Sequence, residues 1–484
     1  MGLSKGGPAT NQKLNMGFIY RGPGQMWTVG GKGIGGGSLN RPEVPVYDVI
    51  IRDGTILRSS GRLVADIAIQ DGKIAYVGGN PGGSAKEEIS AIGRFVMPGV
   101  IDSHVHFRDP GHPAKETWAT GSREALRGGI TTVLDMPNTD PPTLDEASVR
   151  EKLARAQANS VVNFGAWVGA SAESIPRISD LWDAGLVCGT KVFMGDSTGA
   201  LGVTPEVLEA VFEKTKGLIG VHAEDQPTLE AARAKWEGTP QPTHNDVRPP
   251  EASIKAVEIL IELVQRTGRD VHICHLSTAG ELSALDPYRG DLPISCEVSP
   301  HHLFLSTDNA GHLGNLIKVN PPVRAELDRR AMMAALKRGR LDTFGSDHAP
   351  HTLAEKQTDY WSAPSGLPGV GTMFPLILGA LKNGRLGLEL MVAMCAENPA
   401  RRFNLEGKGV IEEGADADLV LFREGVTTKL TADMVTCHCG WSPFVGREVG
   451  VAPDYVLVGG VIAARSGVIM DDLPKGQPVR YANR

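Results

Sequence analysis

A chain of 484 residues is longer than one hydrophobic core usually serves, so a large domain with a smaller companion is expected. A 41% hydrophobic, 22% charged composition is that of a soluble globular protein, and no apolar run approaches the roughly 20 residues of a membrane span. A formal net charge of −7 with no Lys/Arg block excludes a general field for nucleic acid or membrane surfaces, so an anionic ligand would have to be gripped locally.

In chain order, residues 1–45 run through GGKGIGGGS without helical or strand periodicity and read as a flexible Gly-rich leader. From Asp48 the texture changes to VIIRDGTIL and ADIAIQDGKIAYVG, short β-rich runs whose Asp-Gly pairs at 53–54 and 71–72 are turn signals. Similar texture returns in ADADLVLFREG and DYVLVGGVIAAR. Residues 46–97 and 403–470 are therefore expected to build one small β-sandwich domain from both chain ends, with 471–484 as a tail.

Between them, over 98–402, β-branched apolar runs alternate with Ala/Leu/Glu-rich helical stretches. The eight runs are FVMPGVIDSHVH, ITTVLDMPN, VVNFGAWVGA, CGTKVFMG, LIGVHAED, DVHICHLST, PISCEVSPHH and LDTFGSDHAPH. Eight such units favour a closed α/β barrel of the (β/α)8 type. An open doubly wound sheet would carry a phosphate-type glycine fingerprint after its first strand, and none is there.

Metal-competent residues sit at the C-terminal ends of these runs, the end of a barrel that faces the active site. His104 and His106, one residue apart, point to the same side of an extended strand and can share an ion. Lys191, His222, His275 and Asp347 follow on later strands. Each alone reads as a surface, core or turn residue, but their recurrence at successive strand ends points to a metal centre. Lys191 is separate, because an ammonium has no lone pair for a metal. A buried lysine that loses its proton can add carbon dioxide to give a carbamate with two ligand oxygens, whereas its ordinary role is an ion pair. The run Cys437-His438-Cys439 lacks a second ligand pair and reads as a structural segment. The six scattered cysteines, with no secretory segment, suit reduced thiols in a cytoplasm.

As an ordered set, HVHFRDPG, GGITTVLDMPNT, KVFMG, VHAED, ICHLST, EVSPHHLFLS, KVNPPVR and GSDHAPH resemble the dihydroorotase branch of the amidohydrolase superfamily, from about Asp48 to Val468. The resemblance implies two zinc ions. His104 and His106 would hold one with Asp347, His222 and His275 the other, and carboxylated Lys191 would bridge them. It further implies that Asp347 serves as acid and base, that hydroxide attacks a cyclic amide, and that Arg108, Asn138 and His351 grip a substrate carboxylate. The reaction implied is the interconversion of dihydroorotate and N-carbamoyl-L-aspartate in pyrimidine biosynthesis, by a cytoplasmic homo-oligomer with no nucleic-acid or membrane partner. Allantoinase and hydantoinase or dihydropyrimidinase share this ligand set and stay open. A non-catalytic paralogue serving as an assembly partner is the other alternative, although every ligand position is filled.

Overall fold

The computed structural model describes residues 45–197 and 201–482, so the expected leader at 1–45 lies almost wholly outside the described residues. The chain is a (β/α)8 barrel joined to a β domain. The barrel strands are Val100–Val105, Ile130–Asp135, Asn163–Ala166 continued by Val168–Gly169, Thr190–Phe193, Ile219–His222, Val271–Ile273, Ile294–Val298 and Thr343–Phe344. All their pairings are parallel. The third strand breaks at Trp167, and the ring closes where Val105 bridges His348 and the His106 amide donates to the His348 carbonyl at 2.8 Å. Almost every strand residue is buried, which is why these runs lack polar alternation: helices cover one face and packed side chains fill the other.

The covering helices carry the usual local signals. Thr117, Asp145 and Thr278 close capping boxes at the starts of Trp118–Arg127, Glu146–Asn159 and Ala279–Leu285. Pro250–Thr267 buries Ala252, Ala256, Val257, Leu260, Ile261 and Val264, the stripe expected at three- and four-residue spacing, and stops at Gly268 with φ 66°.

Strands from both chain ends form one nine-stranded sheet. Phe95–Pro98 is its seam, lying parallel to Val46–Arg58 and antiparallel to Leu419–Phe422. The Asp-Gly at 71–72 makes the expected hairpin, with φ 50° and 77°. The pair at 53–54 does not turn the chain. Asp53 has φ 56° and the two residues form a bulge inside the single strand Val46–Arg58, where a Cβ on Gly54 would stand 2.7 Å from Val96.

Candidate metal centre

Five imidazole and carboxylate groups converge at the C-terminal mouth of the barrel. His104, His106, His222, His275 and Asp347 line one cavity together with Phe193, Ser197, Val319, Asn320, Ala349, Ser365 and Gly366. Asp347 and His275 have left-handed backbone, with φ 47° and 37°, a conformation that non-glycine residues keep only where surroundings enforce it.

The hydrogen bonds decide which ring nitrogens face inward. His104 Nδ1 lies 2.8 Å from Glu297 Oε1, so it carries the proton and donates, leaving the Nε2 lone pair 3.3 Å from Asp347 Oδ1. His106 Nδ1 lies 2.5 Å from Asn138 Oδ1, which again leaves Nε2, 3.2 Å from the same carboxylate oxygen. On the other wall, His222 Nε2 donates to Glu224 Oε2 at 2.8 Å and turns its Nδ1 toward His275 Nε2, 3.2 Å away. Two imidazole lone pairs therefore meet at Asp347 Oδ1, and among the described residues His275 Nδ1 is buried without a hydrogen-bond partner. Lone pairs arranged against one another suit divalent cations and little else.

Electrostatics agree. Burial lowers the pKa of His104, His106, His222 and His275, against partial opposition from Glu297 at His104 and Glu224 at His222, so the imidazoles stay neutral. Burial also raises the Asp347 pKa. Burial pushes Glu297 upward, but the hydrogen bond from His104, with His272 beside it, outweighs that and holds the carboxylate well below its ordinary range.

Lys191 is fully buried on the strand between these walls. Its Nζ donates to Cys274 Sγ at 2.9 Å and lies over the Phe193 ring, and among the described residues no carboxylate forms an ion pair with it. An ordinary ion-pairing role is thus not what the surroundings offer, and a charged amine there is costly.

Arg108 and His351 come together, with Nη2 to Nε2 at 3.4 Å, while Asn138 Oδ1 lies against His106 Nδ1. His351 Nε2 is 3.1 Å from the Ser365 carbonyl and Nδ1 is 3.0 Å from Lys115 Nζ, so the ring donates to the first and accepts from the second. Burial, with the charges of Arg108 and Lys115, keeps His351 neutral, and burial draws the Arg108 guanidinium down to about 10. The sulfurs of Cys437 and Cys439 sit 3.4 Å apart, and no third metal-ligating group joins them among the described residues.

Sequence reasoning missed Glu297 and Glu224, which orient His104 and His222, and also Cys274, Lys115 and Asn320. All but Lys115 stood in the motifs EVSPHH, VHAED, ICHLST and KVNPPVR; Glu224 lies two residues from His222, whereas the partners of the others lie on other strands and loops.

Residues 95–463 match the model of the amidohydrolase family. Dihydroorotase of Halobacterium salinarum is 41% identical over 85% of this chain and 95% of its own length, and dihydroorotase of Methanosarcina mazei is 38% identical over 86% and 94%. Among solved structures, L-hydantoinase (dihydropyrimidinase) from Arthrobacter aurescens superposes with a TM-score of 0.86 at 30% identity, covering 90% of this chain and all of that one. With a family model spanning most of its length and metal-competent side chains facing inward at its strand ends, the chain belongs to the amidohydrolase family.

Proposed function

We propose that this chain is a dihydroorotase, opening and closing the ring of dihydroorotate with N-carbamoyl-L-aspartate as its open-chain partner, in the cytoplasm. The carrying observation is Arg108. Arg108 is 4% exposed, and among the described residues its Nε has no hydrogen-bond partner and no carboxylate forms an ion pair with it. A buried unpaired cation beside the centre is a reason to look for an anionic substrate, because it costs free energy until an anion meets it. Dihydroorotate carries a carboxylate on its ring, whereas hydantoin and allantoin do not. The relatives named dihydroorotase agree with this choice.

The donor set fits two zinc ions: His104, His106 and Asp347 would hold one, His222 and His275 the other, and a carbamate on Lys191 would add ligand oxygens. When bound, such ions polarise the amide carbonyl and make water a nucleophile near neutral pH. The remaining work belongs to the chain. The Asp347 carboxylate, its pKa raised by burial, accepts the proton of the attacking water and returns it to the leaving ring nitrogen. Glu297 and Glu224 keep His104 and His222 turned inward. Arg108, with His351 beside it, fixes the ring carboxylate.

The test is a side-by-side assay of the zinc-supplied enzyme on dihydroorotate, allantoin and hydantoin, repeated with Arg108→Ala. Dihydroorotate should be the preferred ring. Charge-assisted bonds of about 1.5–3 kcal/mol predict that Arg108→Ala loses roughly 10- to 150-fold in kcat/KM on dihydroorotate. An uncharged ring should suffer far less, and an unchanged ratio between the two rings would remove Arg108 from recognition. Preference for a neutral ring would move the activity to the hydantoinase side, where the solved structure of similar fold stands.

A further inference from the structure

Asn320 lines the metal-side cavity, and also a second, outer cavity that opens beside it and is walled by His244, Arg248, Lys318, Tyr360 and Trp361. A three-residue chain of hydrogen bonds connects these walls. The Tyr360 hydroxyl lies 2.8 Å from His244 Nδ1, and His244 Nε2 lies 2.9 Å from Asn320 Oδ1.

The donor and acceptor inventory allows one arrangement. Asn320 Oδ1 is an acceptor only, so His244 Nε2 carries the proton. The ring is neutral, because burial and the nearby Arg248 charge bring His244 to about 3. His244 Nδ1 is then an acceptor, and Tyr360, whose phenol burial pushes up to about 12, is the donor. With its oxygen committed to His244, the Asn320 side chain has only its NH2 group left. Among the described residues no protein acceptor takes those hydrogens.

The flanking segments are held firmly. Lys318 Nζ donates to the carbonyls of Tyr360 and Ala363 at 2.6 and 2.5 Å, and Lys356 Nζ to those of Lys318, Pro364 and Gly366 at 3.0, 2.8 and 2.8 Å. On the His244 side, the fully buried Arg324 donates to Asn245 Oδ1 at 3.0 Å and the Arg248 carbonyl at 2.6 Å. Neither end of the relay is therefore free to swing.

We infer that Tyr360 and His244 are positioning residues that hold the Asn320 amide with its NH2 group toward the metal-side cavity, so that the site demands a hydrogen-bond acceptor, a ring carbonyl or carboxylate oxygen, on its substrate. The inference rests on the proposed function only for which ring supplies that oxygen. A reversed amide would present a carbonyl to the same oxygen and repel it. Specificity for an acceptor is thus set from a loop outside the metal centre, through a tautomer.

The test uses the zinc-loaded full chain, and its first measurement is independent of activity. In protein labelled with 15N-histidine, with the His244 resonances assigned by their loss in His244→Gln, His244 should appear at neutral pH as the neutral Nε2–H tautomer. The Nδ1–H tautomer or an imidazolium would overturn the inference. Kinetics on the preferred ring give the second measurement. A neutral hydrogen bond is worth about 0.5–1.5 kcal/mol, so His244→Ala should raise KM roughly 3- to 10-fold with kcat within about 2-fold, and Tyr360→Phe should do so less strongly. His244→Gln, which can accept from Tyr360 and donate to Asn320, should restore most of the loss. An unchanged KM with kcat falling in step with the folded fraction would reduce these residues to scaffolding. Should His244→Ala fail to fold, Tyr360→Phe carries the kinetic arm. If the chain opened none of the three rings, the proposed function would fall, while the tautomer would still decide the relay.

Discussion

At the scale of single residues, the centre is governed by which form of each imidazole the interior tolerates. Burial depresses the pKa of His104, His106, His222 and His275, so the folded protein prefers them neutral, the form a metal needs. The sign follows directly. Above the ordinary imidazole pKa of about 6.5 the histidines are neutral folded or unfolded, whereas below it only the unfolded chain takes up protons. Their contribution to stability is therefore present above about 6.5 and is lost as the pH falls further, toward their lowered folded values. The same shift keeps protons from competing for the ligand nitrogens until the solution is more acid than 6.5. Metal content measured after gel filtration at stepwise lower pH should accordingly stay level through pH 6.5 and decline only below it. A midpoint of release at or above 6.5 would mean that these imidazoles titrate as exposed ones do.

Among the elements, the seventh and eighth barrel strands show how neighbouring backbones set a side chain. Glu297, on Ile294–Val298, crosses to His104 on the first strand and also accepts from Ser103 Oγ at 3.1 Å and the His275 amide at 3.2 Å. It has that room because residue 345, next to Thr343–Phe344, is glycine: a Cβ there would collide with the Glu297 carboxylate. The carboxylate is buried and bonded on several sides, so it cannot yield cheaply. Gly345→Ala should weaken zinc binding by about 10- to 100-fold, the usual cost of disturbing a group that orients a metal-bound histidine, with the far-ultraviolet circular dichroism unchanged. Zinc titration against a competing chelator makes the measurement, and wild-type affinity would show that Glu297 does not govern His104.

Across the whole molecule, segments far apart in sequence seal the barrel. Beyond the nine-stranded sheet, the C-terminal tail runs along the third strand: the Phe164 amide donates to the Gln477 carbonyl at 3.0 Å, the Val479 amide to the Phe164 carbonyl at 2.9 Å, and the Gly476 amide to the Ser160 carbonyl at 2.8 Å. It then joins the segment after Asn398–Arg402, where the Glu406 amide donates to the Arg480 carbonyl and the Ala482 amide to the Asn404 carbonyl, both at 2.8 Å. Val479 is buried in the cluster that holds Trp167 and Phe403. Ending the chain after Leu473 should therefore cost about 3–6 kcal/mol, from a few net hydrogen bonds and one apolar side chain, read as a lower denaturant midpoint. Because no residue of the tail lines the cavity of the metal-competent side chains, zinc stoichiometry should be retained. An unchanged midpoint would make the tail an adornment.

The amino-acid sequence by itself determined the barrel, since eight buried β-branched runs separated by amphipathic helices leave few ways to satisfy backbone and apolar surface together. It also brought forward His104, His106, Lys191, His222, His275 and Asp347, because metal-competent letters at strand ends are a local, periodic signal. It read Asp53-Gly54 as a turn, and only packing against Val96 makes that pair a bulge. Tertiary structure alone decided which nitrogen of each histidine faces inward, through Glu297, Glu224 and Asn138, and whether a side chain such as Arg108 is left unpaired. It also linked Tyr360 to Asn320 through His244. Apart from Glu224, two residues from His222, those facts depend on groups dozens to hundreds of residues apart meeting at hydrogen-bond distance, and no pattern along the chain carries the direction in which a buried amide or imidazole points.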